Sequence, residues 1–266
     1  MIVIKFGGHA MSDAEGLFAK AVQGALDLGE DCVIVHGGGP QIDAALKEAN
    51  IEPEFNGGFR VTSPEVFEVV QKVLSGQVLR DVVAQLRNAG LNAVGITGRD
   101  GGLLIAKKLN NLVNGTSADL GQVGEVVRVD KAILDSLIDS GFLPVVSPIA
   151  ILGDETHEDS NTGLNVNADL AAAAIAGALQ ASSLIFMTDV PGIYKNWPDT
   201  SSLISSIRVS ELEAIKGEFT EGMAPKVAAC MSAIHAGAHS VRVIDGKDPM
   251  SFALALRGIG GTVVLP

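Results

Sequence analysis

The sequence predicts an α/β protein in which a mostly parallel sheet carries helices on both faces, a three-layer sandwich in a single domain. Short β-branched runs alternate along the chain with longer stretches of helical spacing, and glycine or proline marks the joints. Hydrophobic residues make up 47% of the chain but aromatics only 4%, so the core is Val, Ile, Leu and Ala, as suits strands buried on both faces. With 266 residues the chain can build a large core. A seam near 165–182 suggests two lobes, about 1–170 and 171–266.

Residues 2–6 read as a buried strand, yet Lys5 lies within the run. An unpaired buried ammonium is costly, so Lys5 either snorkels to a sheet edge or meets an anion. Residues 13–28 have helical spacing, with Ser12 as a candidate N-cap and Gly29 as the stop. A strand at 32–35 runs into His36-Gly37-Gly38-Gly39-Pro40, and Pro40 suits the first position of a helix to about 49. A strand, a glycine loop and a helix N-terminus together favour an anion.

Residues 56–62 read as a loop, followed by a Pro64-started helix, a second helix over 77–88 and a strand at 93–96. Runs at 103–107 and 123–129 flank a polar stretch, which predicts a protruding hairpin or lid-like excursion. A helix at 130–139 ends at Gly141, a strand covers 143–147, and 148–164 reads as turn-rich. An alanine-rich helix follows Asn165-Val166-Asn167-Ala168-Asp169, where capping by Asn167 is the simplest account of the polar residues. Strands at 184–187, 241–244 and 262–265 alternate with a loop at 188–197 and helices at 209–215, 222–236 and 249–256.

The net charge of -12 argues against non-specific nucleic-acid or anionic-membrane binding. Cys32 and Cys230 are too few for a disulfide framework or a zinc site. The start of the chain lacks a secretory pattern and no apolar window reaches spanning length, so a cytoplasmic protein is expected. No phosphate-binding G-x-x-x-x-G-K-[ST], dinucleotide G-x-G-x-x-G or nucleophile-elbow G-x-S-x-G is present. The acidic run at 154–159 reads as a solvated face, and no metal site is expected. Lys226 stands at a helix start, where the macrodipole disfavours a cation unless an anion accompanies it.

Six segments now combine: Lys5-Phe6-Gly7-Gly8, Val35-His36-Gly37-Gly38-Gly39, Gly58-Phe59-Arg60-Val61-Thr62, Asn165-Val166-Asn167-Ala168-Asp169, Thr188-Asp189-Val190-Pro191-Gly192 and Gly222-Met223-Ala224-Pro225-Lys226. In this order they resemble the amino acid kinase superfamily, and within it the acetylglutamate kinase family, over nearly the whole chain. The resemblance implies ATP-dependent phosphorylation of the side-chain carboxylate of N-acetyl-L-glutamate in arginine biosynthesis. It also implies roles. Lys5 and Lys226 stabilise the transferring phosphoryl group, and Asp169 holds both. Gly7 and Gly8 offer N–H groups to the nucleotide, Gly38 and Gly39 to the substrate. Arg60 grips the substrate α-carboxylate with Asn165 beside it. Asp189, Val190, Pro191, Gly192, Ile193 and Tyr194, with Glu218, Phe219 and Thr220, surround the adenosine. Magnesium rides on the ATP phosphates.

The family's arginine-inhibited members carry an extra helix before the first strand, so the resemblance implies a homodimer insensitive to arginine, with the Pro64-started helix at its interface. Two alternatives share the fold. A kinase of a carrier-protein-linked acyl-amino acid should be basic at its mouth, and a non-catalytic sensor should lack a lysine or aspartate of the clamp.

Overall fold

The computed structural model describes residues 1–7, 16–112, 115–154, 158–219, 223–248 and 250–266. The chain opens with β1 (Ile2–Phe6), α1 (Leu17–Asp27), β2 (Cys32–His36) and α2 (Gly39–Glu48). A hairpin of β3 (Phe55–Asn56) and β4 (Phe59–Arg60) precedes α3 (Pro64–Gln71), a π-helical stretch Lys72–Val78 and α4 (Leu79–Asn88). Then come β5 (Ala93–Thr97), β6 (Leu104–Lys108), β7 (Val123–Val129), α5 (Ala132–Asp139), β8 (Leu143–Ser147), β9 (Ile149–Gly153) and β10 (Glu158–Val166). The remainder is α6 (Ala168–Ala178), β11 (Ser183–Thr188), β12 (Ser206–Arg208), α7 (Val209–Ile215), α8 (Ala224–His235), β13 (Val241–Asp245), α9 (Ser251–Leu256) and β14 (Thr262–Leu265).

Eight strands form the central sheet in the order β12-β14-β13-β11-β1-β2-β8-β5. Neighbours from β13 to β5 pair in parallel, while β14 runs antiparallel to β13. The mostly parallel α/β sandwich is therefore present, and β1 lies inside it between β11 and β2.

The alternation of side chains along β1 sets up the chemistry. Val3 joins Val33 and Val35 in the core under α6 and α8, whereas Ile2, Ile4 and Phe6 join the core under α1, α3, α4 and α9. Lys5 shares the parity of Val3, so it faces α6 and α8. Helix α6 is almost wholly alanine on its buried side, with Ala171, Ala172, Ala173 and Ala176 fully buried. Small side chains let α6 and α8 approach closely, and a Cβ at Gly177 would overlap Ala236.

Four local expectations change. Residues 56–62 contain a hairpin, because Gly57 and Gly58 take φ of 56° and 84° and turn β3 directly into β4. The helices expected at 64 and 77 are one continuous rod: the buried stripe Val70, Val73, Leu74, Val78 and Val82 runs unbroken through Ser75 and Gly76. Segment 148–164 is two strands, β9 and β10, which close a four-stranded barrel with β7 and β6. The expected hairpin of β6 and β7 forms, and its connection returns to the body of the protein at residues 120–122. Thr62 N–H donates to Leu120 O at 3.0 Å, Gln122 N–H donates to Thr62 O at 2.6 Å, and Leu120 is buried. The first helix begins at Leu17 rather than 13, and its proposed cap Ser12 lies outside the described residues.

Candidate active site

Lys5 Nζ lies 3.0 Å from Asp169 Oδ1, with only 14% and 12% of the two side chains exposed. The lysine therefore meets an anion rather than snorkelling to an edge. Asp169 occupies the first turn of α6, whose start is fixed by Asn167: its Oδ1 accepts from the N–H groups of Asp169 at 2.9 Å and Leu170 at 3.3 Å. Burial pushes the Asp169 carboxyl up, but the charges of Lys5 and Lys226 and the hydrogen bond from Lys5 outweigh it and hold the group below the usual carboxylate range. Lys226, in the first turn of α8, thus acts on the same carboxylate from the second helix.

On one side of this pair lies a cavity of about 300 Å³, bounded by Lys5, Gly38, Gly39, Arg60, Asn165 and Asp169 among others. The four residues expected to bind substrate are thus all on its wall. Arg60 is 9% exposed; its Nη2 pairs with Asp43 Oδ1 at 2.7 Å, and its guanidinium stands 4.6 Å from the centre of the Phe55 ring. Its Nη1 is buried and donates to no described residue, leaving one N–H edge for a ligand. Asn165 donates to Thr62 Oγ1 at 3.2 Å, and that hydroxyl donates to Arg60 O at 2.8 Å, so β10 and β4 are tied together at the wall. Phe59, Leu74 and Val123 supply apolar wall that sequence reasoning missed.

A second cavity of about 470 Å³ lies on the other side, lined by Asp189, Val190, Tyr194, Trp197, Phe219 and Lys226 with Glu218, Lys195, Asn196 and Met223. Tyr194 and Trp197 pack edge to face, 5.1 Å between ring centres. Of the nucleotide residues expected, Gly7, Pro191, Gly192 and Ile193 do not line it. Ile193 is fully buried and donates its N–H to Thr262 Oγ1 at 2.8 Å, and a Cβ at Gly192 would come within 2.5 Å of the same hydroxyl. Gly192 and Ile193 set the course of the loop against β14. Lys195, Asn196 and Trp197 were missed because only the turn of the chain after Tyr194 brings them to the wall.

Gly7 follows β1 directly, and a Cβ there would stand 3.0 Å from Lys5 Nζ, so its bareness leaves room for the ammonium. Gly8 and Thr220 lie outside the described residues, as do Gly222 of the sixth segment and residues 155–157 of the acidic run. Among the described residues no group of three or more His, Cys, Asp or Glu is gathered to hold a metal ion. Lys5 and Asp169 line the first cavity and Lys226 the second, and the charge of Lys226 is felt by the Asp169 carboxylate.

Comparison with known proteins identifies the family. The model of the amino acid kinase family matches residues 1–245. The acetylglutamate kinase of Paenarthrobacter aurescens is 47% identical over 272 residues, covering 99% of this chain and 86% of that protein. A protein of Streptococcus mutans UA159 of known structure superimposes with a TM-score of 0.81 at 27% identity, over 99% of this chain and 98% of that one. Carbamate kinase from Giardia lamblia shares the fold at a TM-score of 0.70 and 20% identity, over 99% of this chain and 97% of that one. With its strand-borne lysine, glycine loop and helix-borne aspartate and lysine in one sandwich, the chain belongs to the amino acid kinase family.

Proposed function

We propose that the chain transfers the γ-phosphoryl group of ATP to the side-chain carboxylate of N-acetyl-L-glutamate, giving an acyl phosphate in arginine biosynthesis. The observation that carries this reading is the Lys5–Asp169 pair at 3.0 Å, with Lys226 acting on the same carboxylate. A carboxylate nucleophile is ionised at neutral pH, so transfer to it needs no general base. It needs alignment and neutralisation of charge on the transferring group. Lys5 and Lys226 supply two cations, and Asp169 prevents their mutual repulsion from spreading them apart. Gly38 and Gly39 offer backbone N–H groups on the acceptor side. Arg60 holds the α-carboxylate through its unshared edge, with Asn165 beside it. Phe55, Phe59 and Leu74 exclude water around the aliphatic part of the substrate.

The larger cavity suits the nucleotide: Tyr194, Trp197 and Phe219 offer apolar faces to adenine, and Lys226 reaches its phosphate end. Magnesium would travel on the phosphate oxygens, where it neutralises charge that these few cations do not. The half from about residue 171 onward then serves the nucleotide and the preceding half the acyl-amino acid. A homodimer built on the helix that starts at Pro64 belongs to the same reading. Among the described residues no helix is long and apolar enough to cross a membrane, consistent with a cytoplasmic enzyme.

The test is ATP turnover with N-acetylglutamate, glutamate, aspartate and N-acetyl-aminoadipate in parallel, the acyl phosphate being trapped with hydroxylamine. Hydroxamate should form with N-acetylglutamate far above the others. Turnover confined to another acid would overturn the substrate, and none with any would favour a sensor.

A further inference from the structure

We infer that His36 is a positioning residue for the glycine loop: its ring holds the Gly37–Gly38 peptide so that the Gly38 N–H faces the acceptor cavity. The inference rests on the reading of that cavity as the acceptor site. His36 ends β2, is fully buried, and has the parity of Ile34, so it lies on the sheet face opposite Lys5. Its Nδ1 stands 2.7 Å from Gly37 O. A carbonyl oxygen only accepts, so Nδ1 carries the proton and Nε2 is left as a bare acceptor. That Nε2 is buried and meets no donor among the described residues. An orphaned ring nitrogen is a cost that mere filling of space would avoid, since leucine would occupy the same volume without it. The Nδ1–H contact is what the histidine adds.

The rest of the loop is held in a complementary way. Gly37 N–H donates to Phe6 O at 2.9 Å, and Gly38 O accepts from Ile42 N–H at 3.0 Å. A trans peptide is planar, with N–H opposite C=O. Once the Gly37 carbonyl is turned to His36 and the Gly38 carbonyl to α2, the Gly38 and Gly39 N–H groups are turned the other way, and both residues line the cavity. Three successive glycines would otherwise leave these peptides free to flip. Leu74 packs directly against the loop, since a Cβ on Gly38 would come within 2.6 Å of its Cδ2. Burial, reinforced by the charge of Arg80 and opposed by the Gly37 contact, pushes the His36 ring down to about 4, so one neutral tautomer persists at neutral pH.

Two measurements test this. In protein carrying ¹⁵N-labelled histidine, the His36 ring should show a protonated Nδ1 and a bare Nε2 between about pH 6 and pH 8. The opposite tautomer would overturn the inference whatever the activity. In turnover, His36→Leu removes the donor, while His36→Asn keeps an N–H near the Nδ1 position. The leucine variant should fold, keep its KM for ATP and lose kcat about tenfold to a hundredfold, less than outright loss of a preorganised donor, and the asparagine variant should recover most of that loss. A folded leucine variant within about twofold of the parent kcat, or equal losses in both variants, would contradict the assignment. If the parent protein shows the Nδ1–H tautomer but no turnover of N-acetylglutamate, the substrate reading fails while the placement of the Gly37–Gly38 peptide stands.

Discussion

Asp169 carries two opposing demands, since its burial disfavours the anion and its two lysines require it. The lysines win, so its native pKa lies below the unfolded value of about 3.9. The stability it contributes is complete above that value and is lost as pH falls through the native one. Acid unfolding from this group should therefore begin only below about pH 4. Asp169→Asn would leave Lys5 facing Lys226 without a counter-charge and should cost about 3 kcal/mol, read as a lowered urea midpoint at unchanged slope. His36 behaves differently. Its native pKa of about 4 lies below the ordinary 6.5, so its contribution is complete above pH 6.5 and declines toward pH 4, as the unfolded chain takes up the proton. That decline amounts to roughly 3 kcal/mol, and His36→Leu should flatten it in denaturation curves taken across this range. For Arg60, one edge is committed to Asp43 and the other is open. Arg60→Lys should raise the KM for N-acetylglutamate about tenfold to a hundredfold with a smaller effect on the KM for ATP; equal effects on both would contradict its role.

Elements carry the residues to the site by simple geometry. Parity along β1 points Lys5 at α6 and α8, and the first turns of those helices supply Asp169 and Lys226. The distance between the helices is set by small residues, so Gly177→Ala, which presses on Ala236, should destabilise by about 1–3 kcal/mol, offset in part by about 1 kcal/mol of helix propensity. A rise in melting temperature would mean that the helices separate without cost. In the loop after β11, Trp197 is half exposed beside Tyr194, and on the proposed reading Trp197→Ala should raise the KM for ATP about tenfold through lost stacking, with little change for the acid. These elements differ in how far local sequence encodes them. The strand around Lys5, the glycine loop and the Asn167 cap are each set by neighbours in the chain, so they were legible. The barrel was not, because β9 and β10 close it on β6 and β7, so that Ile151 pairs with Ile105 and Asn165 with Val123. The hairpin at Gly57 and Gly58 was legible in principle, since paired glycines between Asn56 and Phe59 favour a tight turn, but its strands are only two residues each. The cavity walls formed by Leu74 and Trp197 depend on where distant segments pass, which periodicity does not report.

On the scale of the whole molecule, a chain of net charge -12 gathers Lys5, Arg60, Lys195 and Lys226 around two adjoining cavities. The acidic remainder limits other anionic partners, and the few cations set the site. Neither cavity alone makes a phosphotransferase: Lys5 and Asp169 line one, Lys226 lines the other, and the sheet holds them in register. On the proposed reading these two lysines act together on the group in transit. The most direct test is the single-turnover rate of acyl phosphate formation by the parent, Lys5→Ala, Lys226→Ala and the double variant, with ATP and N-acetylglutamate saturating and folding checked by urea denaturation. Each single variant should lose about a hundredfold or more while remaining folded, and the double variant should lose less than the product of the two. A folded single variant transferring phosphoryl within a few-fold of the parent rate would contradict the account.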